Sequence, residues 1–162
     1  MNQDIQCQPL TAEAFRPFGD VLEATGDPDK LINDGFCGRY HDLARLEFGT
    51  EGRAGISMFQ AQARQLPYML TLLERHPEGS QAFVPMTEHP FLVIVAPDVN
   101  GKPGQPLAFL TKPHQGINFH KGTWHGVLTP LAKPGLFAVI DRIGISANLE
   151  EVLVDPPYRV VA

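Results

Sequence analysis

The sequence predicts an all-β fold, a sandwich or a closed barrel preceded by one short helix, and three observations carry that expectation. Backbone punctuation is dense: 15 Gly and 15 Pro stand among 162 residues, close to one in five against an average of roughly 12% for the pair. Proline in a helix interior removes a donor and glycine adds backbone entropy, so helical bundles and helical repeats are excluded. The punctuation recurs at short intervals from Gly35 to Pro134, and runs of strand length lie between the marks. Hydrophobic residues make up 43% of the chain and charged residues 19%, enough apolar material for a core and too little charge for disorder. Many short strands with turns at this spacing form a double-sheet or barrel architecture.

Thr11 is placed to cap a helix over 12–16, which Pro17 and Gly19 end. Strands are expected over 38–46, 54–63, 68–76, 81–84, 91–95, 107–110, 117–120, 126–128 and 135–142, and the Gly- and Pro-rich stretch 98–106 is expected as a surface loop. Within 68–76, alternation groups Leu70, Leu72, Glu74 and His76 on one face and Met69, Thr71, Leu73 and Arg75 on the other. Both faces are apolar over most of their length. One is expected to line the interior, the other to be covered by a second sheet or a partner subunit. No repeat or linker divides the chain, so residues 1–162 are expected to form a single domain.

Net charge is −5, with 13 basic and 18 acidic residues and the basic ones scattered. That balance argues against a nucleic-acid groove or a polybasic membrane patch. A DNA-binding regulator would need a helix-turn-helix beside the barrel, for which the chain has no room. The apolar run 91–96 is far short of the roughly 20 residues that cross a bilayer. The opening Met-Asn-Gln-Asp lacks the basic-then-apolar pattern of a secretory signal, so a cytoplasmic location is expected. Cys7 and Cys37 stand in no metal or redox spacing and are expected as reduced, partly buried thiols.

Chemistry-bearing residues cluster at two turns. At the end of 68–76 an apolar face turns polar at Glu74 and His76, Pro77-Glu78-Gly79-Ser80 forms a turn, and Gln81 opens the next strand. A carboxylate, an imidazole and an amide oxygen are thereby expected at one barrel mouth on two adjacent strands. Later, Gly116-Ile-Asn-Phe-His120-Lys121-Gly122-Thr123-Trp124-His125 sets two imidazoles about a Gly turn, a common way to converge ring nitrogens. These spacings are similar to the two cupin motifs, a His-x-His-x4-Glu hairpin and a Pro-x-Gly-x-x-His hairpin that supply one metal site inside a jelly roll. Glu74, His76 and Gln81 occupy the first motif's ligand positions and His125 the second's, with Gly122 kept, while Glu replaces the first His, Gln the Glu, and His120 the Pro. Such a set suits a borderline divalent ion, although an amide is a weaker ligand than a carboxylate.

Longer strings add detail: Leu73-Glu74-Arg75-His76-Pro77 with Gln81-Ala82-Phe83, Gly116 through His125, Asn33-Asp34-Gly35, Arg39-Tyr40-His41-Asp42-Leu43-Ala44, Phe15-Arg16-Pro17-Phe18-Gly19-Asp20-Val21 and Ile140-Asp141-Arg142. Together they resemble the ureidoglycolate lyase family of bacterial allantoin catabolism, with Gly126 standing where some members carry a second His. The resemblance implies a cupin-type double-stranded β-helix barrel. It implies a homodimer that cleaves (S)-ureidoglycolate to glyoxylate and urea, with a divalent metal such as nickel. An amidohydrolase releasing ammonia and a non-catalytic barrel binding a small carboxylate are the alternatives.

Ureidoglycolate is a hemiaminal carrying a carboxylate, so its cleavage needs a base for the hydroxyl proton, an acid for the leaving nitrogen and a cation for the carboxylate. Glu74, His76, His120 and His125 are the catalytic candidates, and His76, Gln81 and His125, with Glu74, the metal-ligand candidates. For the anion clamp, Arg39, Lys121 and Arg142 are the candidates, with Arg favoured for its planar fork. Lys121 and Arg75 alternate outward, and Arg75 fits a surface or dimer salt bridge better than the site. Trp124 is expected as a packing anchor. His41 and Asp42 are open between a mutual hydrogen bond, a ligand-orienting role and a turn-capping pair.

Overall fold

Strands dominate the computed structural model, which describes residues 3–162. In chain order the elements are β1 (Gln3–Pro9), α1 (Ala12–Phe15), β2 (Gly19–Leu22), β3 (Lys30–Ile32), β4 (Cys37–Arg39), β5 (Arg53–Ala61), β6 (Tyr68–Arg75), β7 (Gln81–Pro85) and β8 (Phe91–Ala96). They continue with β9 (Asp98–Val99), β10 (Lys102–Pro103), β11 (Leu107–Leu110), β12 (Gly116–Phe119), β13 (Trp124–His125), β14 (Thr129–Pro130), β15 (Gly135–Ile143) and β16 (Glu150–Val161). The all-β expectation holds, as does the short helix. Thr11 Oγ1 accepts from the Ala14 N–H at 3.1 Å, and the helix ends at Phe15 with Arg16 as its C-cap.

Seven strands form one sheet in the order β11-β1-β16-β6-β13-β8-β14, and β8 pairs with β11 as well. That extra pairing closes six strands into a barrel filled by Ile5, Leu70, Leu73, Leu92, Ile94, Trp124 and Val160. The five-stranded sheet β2-β12-β7-β15-β5 packs over the other face of β8, where Phe91, Val93 and Val95 meet Phe83, Ile117, Phe119, Phe137 and Val139. All six residues of β8 are buried because alternate side chains serve two cores, which is why 91–96 is an unbroken apolar run. Phe15 of α1 closes the intersheet core against Phe18, Phe109 and Phe119. Burying a ring of that size contributes about 1.5–3 kcal/mol.

Several sequence expectations are corrected. The strand expected over 38–46 is confined to its first two residues, in the short β3–β4 hairpin. Beyond it the chain is held by side chains instead of a ladder: Tyr40 Oη donates to Gly26 O, the His41 N–H to Asp29 and the Arg45 N–H to Asp20. Residues 126–128 connect β13 to β14, and the loop 98–106 contains the β9–β10 hairpin. No second sheet covers the outward face of β6 among the described residues: β16 and β13 pair along its two edges, and Met69 and Thr71 are exposed. Leu70 joins Leu73 in the barrel rather than sharing the face of Glu74 and His76. Between the pairs Leu72↔Leu153 and Leu70↔Tyr158 the partner strand advances by more residues than β6 does, and this bulge at Asp155-Pro156-Pro157 breaks the alternation. Cys7 is half-buried as expected, but Cys37 is exposed; both are free.

The outer face of the five-stranded sheet stays apolar and open. Ile56 pairs across to Ile140 and Met58 to Ala138, and Ile56, Met58 and Met86 are 77%, 56% and 55% exposed. No helix among the described residues is long and apolar enough to cross a membrane.

Candidate active site

Two connections cross between the sheets at the same end of the molecule. One leads from β6 to β7 through 76–80, the other from β12 to β13 through 120–123, and the Gly122 N–H donates to His76 O at 2.9 Å. Gly122 has φ +79°, a left-handed turn position that glycine adopts without steric cost. Glu74 and His76 therefore do not neighbour Gln81 on adjacent strands, as the sequence suggested; the turn carries the chain across the sandwich and sets them on opposite walls.

On one wall Glu74 of β6 lies directly opposite His125 of β13. On the other, Gln81 of β7 lies between Phe119 of β12 and Asp141 of β15. Gln81, Phe119 and Asp141 continue the inward positions of Phe83, Ile117 and Val139 at the two-residue spacing of a strand. At this end the intersheet core thus changes from phenylalanine and valine to ionisable and amide side chains. The Phe119 ring stacks on His125 with centroids 4.2 Å apart and planes within 7°.

Hydrogen bonds fix how these side chains face. His76 Nδ1 lies 2.9 Å from Asn148 O and His125 Nδ1 lies 2.9 Å from Gly126 O. A carbonyl only accepts, so each ring carries its proton on Nδ1 and presents an Nε2 lone pair. Gln81 Nε2 donates to Asp141 Oδ2 at 3.1 Å, which leaves Oε1 as its free end. Both Nε2 atoms and Gln81 Oε1 are buried with no hydrogen-bond partner among the described residues. Ligand atoms of Glu74, His76 and His125 all lie within 4.8 Å of one another. A cluster of acceptors without a donor is costly to bury unless a positive charge or a donor meets it. Imidazole nitrogen, carboxylate and amide oxygen together suit a divalent cation, so the residues present fit the metal that the cupin spacing implied.

Electrostatics agree with that geometry. Burial lifts the half-buried Glu74 carboxyl above its ordinary range, against the pull of His76 and with a push from Glu151, the residue opposite it on β16. Burial lowers His125 to about 3, opposed by its bond to Gly126 O and helped by His76. His125 is a neutral imidazole at neutral pH.

The other candidates lie elsewhere. His120 follows β12 on the face opposite Phe119, with Nε2 3.1 Å from Asp20 Oδ2, so the Gly turn separates the two imidazoles instead of converging them. Burial alone would raise Asp20, but bonds from Asn118, the Arg45 N–H and His120 outweigh it and hold the carboxyl below its ordinary value. Lys121 is half-exposed and pairs with Glu47 at 3.2 Å. Arg142 alternates away from Asp141, its side chain is 4% exposed, and it donates to Phe48 O at 2.9 Å and Ser146 Oγ at 3.0 Å. Gly52 makes room for it: a Cβ there would fall 2.6 Å from the Arg142 Nε. Arg39 is exposed on the β3–β4 hairpin. Arg75 lies 4.4 Å over the buried Trp124 ring and pairs with Glu150 and Asp98, as its outward alternation suggested.

Three contributors escaped sequence reasoning: Asp141, Phe119 and the Asn148 carbonyl. Alternation from Val139 and Ile117 was a usable signal for the first two, whereas a main-chain oxygen leaves none.

A family model described as ureidoglycolate lyase matches residues 2–161. The chain belongs to the ureidoglycolate lyase family. Relatives in that family include a ureidoglycolate lyase of Rhodobacter capsulatus, 58% identical over 156 residues that cover 96% of this chain and 97% of the relative. A ureidoglycolate lyase of Chelativorans sp. is 50% identical over 157 residues, covering 96% and 95%. A protein of Rhizobium meliloti named ureidoglycolate lyase 2 is 50% identical over 154 residues, covering 94% of each. The family resemblance and the closed β-barrel expected from the sequence both hold.

Proposed function

We propose that this chain is a lyase that cleaves (S)-ureidoglycolate to glyoxylate and urea in allantoin breakdown. Near-complete coverage by the ureidoglycolate lyase family carries the reading, and the acceptor cluster at the sandwich mouth supplies residues for it. The reacting carbon bears a hydroxyl, a carboxylate and a urea nitrogen. In the reaction the hydroxyl O–H bond breaks, its oxygen forms C=O, and the C–N bond breaks with its electron pair going to nitrogen, which takes a proton. No water is consumed, which separates this outcome from ammonia-releasing hydrolysis.

Glu74 takes the hydroxyl proton and returns it to the departing nitrogen. Its burial favours the protonated carboxyl, which suits a group that must hold the proton between the two events. His76, Gln81 and His125 would hold a divalent cation, nickel being a borderline ion matched to nitrogen and oxygen donors. Bound there, the cation supplies a Lewis acid for substrate oxygens. Phe119 covers one face of the His125 ring and keeps water from it. We also infer a homodimer, formed through the exposed Ile56 and Met58 face, since apolar patches of this kind mark interfaces. Two free cysteines suit the reducing cytoplasm.

Purified protein given (S)-ureidoglycolate is expected to release urea and glyoxylate in equal amounts; ammonia without urea would overturn the lyase reading. Activity is expected to fall on chelation and to return with nickel. Full activity in a sample shown by elemental analysis to be metal-free would end the cation's part alone.

A further inference from the structure

We propose that Asp141 is a positioning residue that fixes which end of the Gln81 amide faces the Glu74, His76 and His125 cluster. The proposal deepens the reading above and rests on it in taking the inward end of Gln81 to be a required acceptor. An amide has two ends of nearly equal size, an oxygen that accepts and an NH2 that donates. Gln81 is the cross-strand partner of Phe119, whose ring stacks on His125, and an unconstrained amide on that side of the core would turn its NH2 toward a carboxylate and two Nε2 lone pairs. The opposite is seen: Oε1 is buried without a partner, and Nε2 donates to Asp141 Oδ2 at 3.1 Å.

Asp141 enforces that choice because an ionised carboxylate only accepts. Gln81 and Asp141 are direct cross-strand partners on β7 and β15, so the backbone register sets their contact. Among the described residues Gln81 is also the sole side-chain hydrogen-bond partner of Asp141. The carboxylate therefore keeps a neutral oxygen aimed at the mouth, where it adds to the acceptors able to meet a cation or a substrate N–H or O–H.

Asp141→Asn preserves shape but pairs with the amide either way round, which removes the bias. Gln81→Glu combined with Asp141→Asn exchanges donor and acceptor and returns an oxygen to the mouth. The first readout needs neither metal nor substrate: hydrogen exchange of the Gln81 side-chain NH2 by 15N NMR, assigned by its loss in Gln81→Glu. Slow exchange in the wild type and at least a tenfold rise in Asp141→Asn are expected; equal exchange in the two overturns the proposal. The second is Co2+ titration followed by visible absorption, alongside the KM for ureidoglycolate. Asp141→Asn is expected to weaken Co2+ about 10- to 100-fold, the range for residues that orient a ligand, with the double variant binding at least as tightly as wild type because it offers a carboxylate in place of the amide. A double variant that folds but binds Co2+ as weakly as Asp141→Asn also overturns it. If the wild type binds no Co2+ yet its amide is protected, the cation reading fails, and positioning by Asp141 is upheld by a raised KM in Asp141→Asn or overturned by an unchanged one.

Discussion

Replacing His125 by Gln tests whether the site is built on a buried neutral imidazole. Only 2% of the residue is exposed, and burial lowers its pKa from 6.5 to about 3. With the folded value below the unfolded one, the unfolded chain takes the proton first. The stability contributed by this neutral ring is therefore complete above the unfolded pKa, falls as acid is added below it, and stops falling near the folded pKa. Proton linkage makes the loss between pH 7 and pH 5 about 2 kcal/mol. Urea unfolding of metal-free wild type and His125→Gln at both pH values isolates this effect, because ionisable groups common to both proteins cancel in the difference. The variant is expected to be weaker at pH 7, having lost the stack on Phe119, yet to lose about 2 kcal/mol less on acidification. Equal losses in the two proteins would refute the reasoning.

Arg142→Met should destabilise the fold by about 1–3 kcal/mol, because Phe48 O and Ser146 Oγ lose a buried donor; thermal unfolding measures this, and the KM should change by less than about twofold. Phe119→Leu keeps an apolar side chain but removes the ring stacked on His125, at about 0.5–1.5 kcal/mol beyond the lost area, readable from urea midpoints. Met58→Glu places a charge in the open apolar face of the five-stranded sheet, and light scattering should show a dimer becoming a monomer.

Legibility followed the range over which each signal acts. Local signals worked: Thr11 caps its helix, and the apolar run 91–96 forms the strand shared by two cores; the ligand atoms of Glu74, His76 and His125 lie within 4.8 Å of one another. Alternation also turns Arg75 away from Glu74 and His76, over the Trp124 ring, and Lys121 toward Glu47 at the surface. Signals that depend on strand pairing failed. Nothing local shows that 76–80 and 120–123 cross between sheets, so spacing alone puts Gln81 on a neighbouring strand and aims His120 at His125, whereas His120 pairs with Asp20. Asp155-Pro156-Pro157 concealed β16 because proline normally interrupts a ladder, and here a bulge absorbs it. The surroundings of Arg142 are illegible for a related reason: the glycines beside it accommodate a buried guanidinium, and only tertiary structure shows which loops meet there.

Placement of the last strand bears on when this protein finishes folding. β16 lies between β1 and β6, pairing parallel with one and antiparallel with the other. The barrel therefore has a gap until the twelve residues of β16 arrive. On the ribosome, a chain lacking only that segment would leave Ile5, Leu70 and Leu73 open to water beside two unpaired strand edges, a state prone to aggregation. Barrel closure must wait until residues 150–161 have left the exit tunnel, and a chain cut short before residue 150 should yield insoluble protein rather than a shortened enzyme.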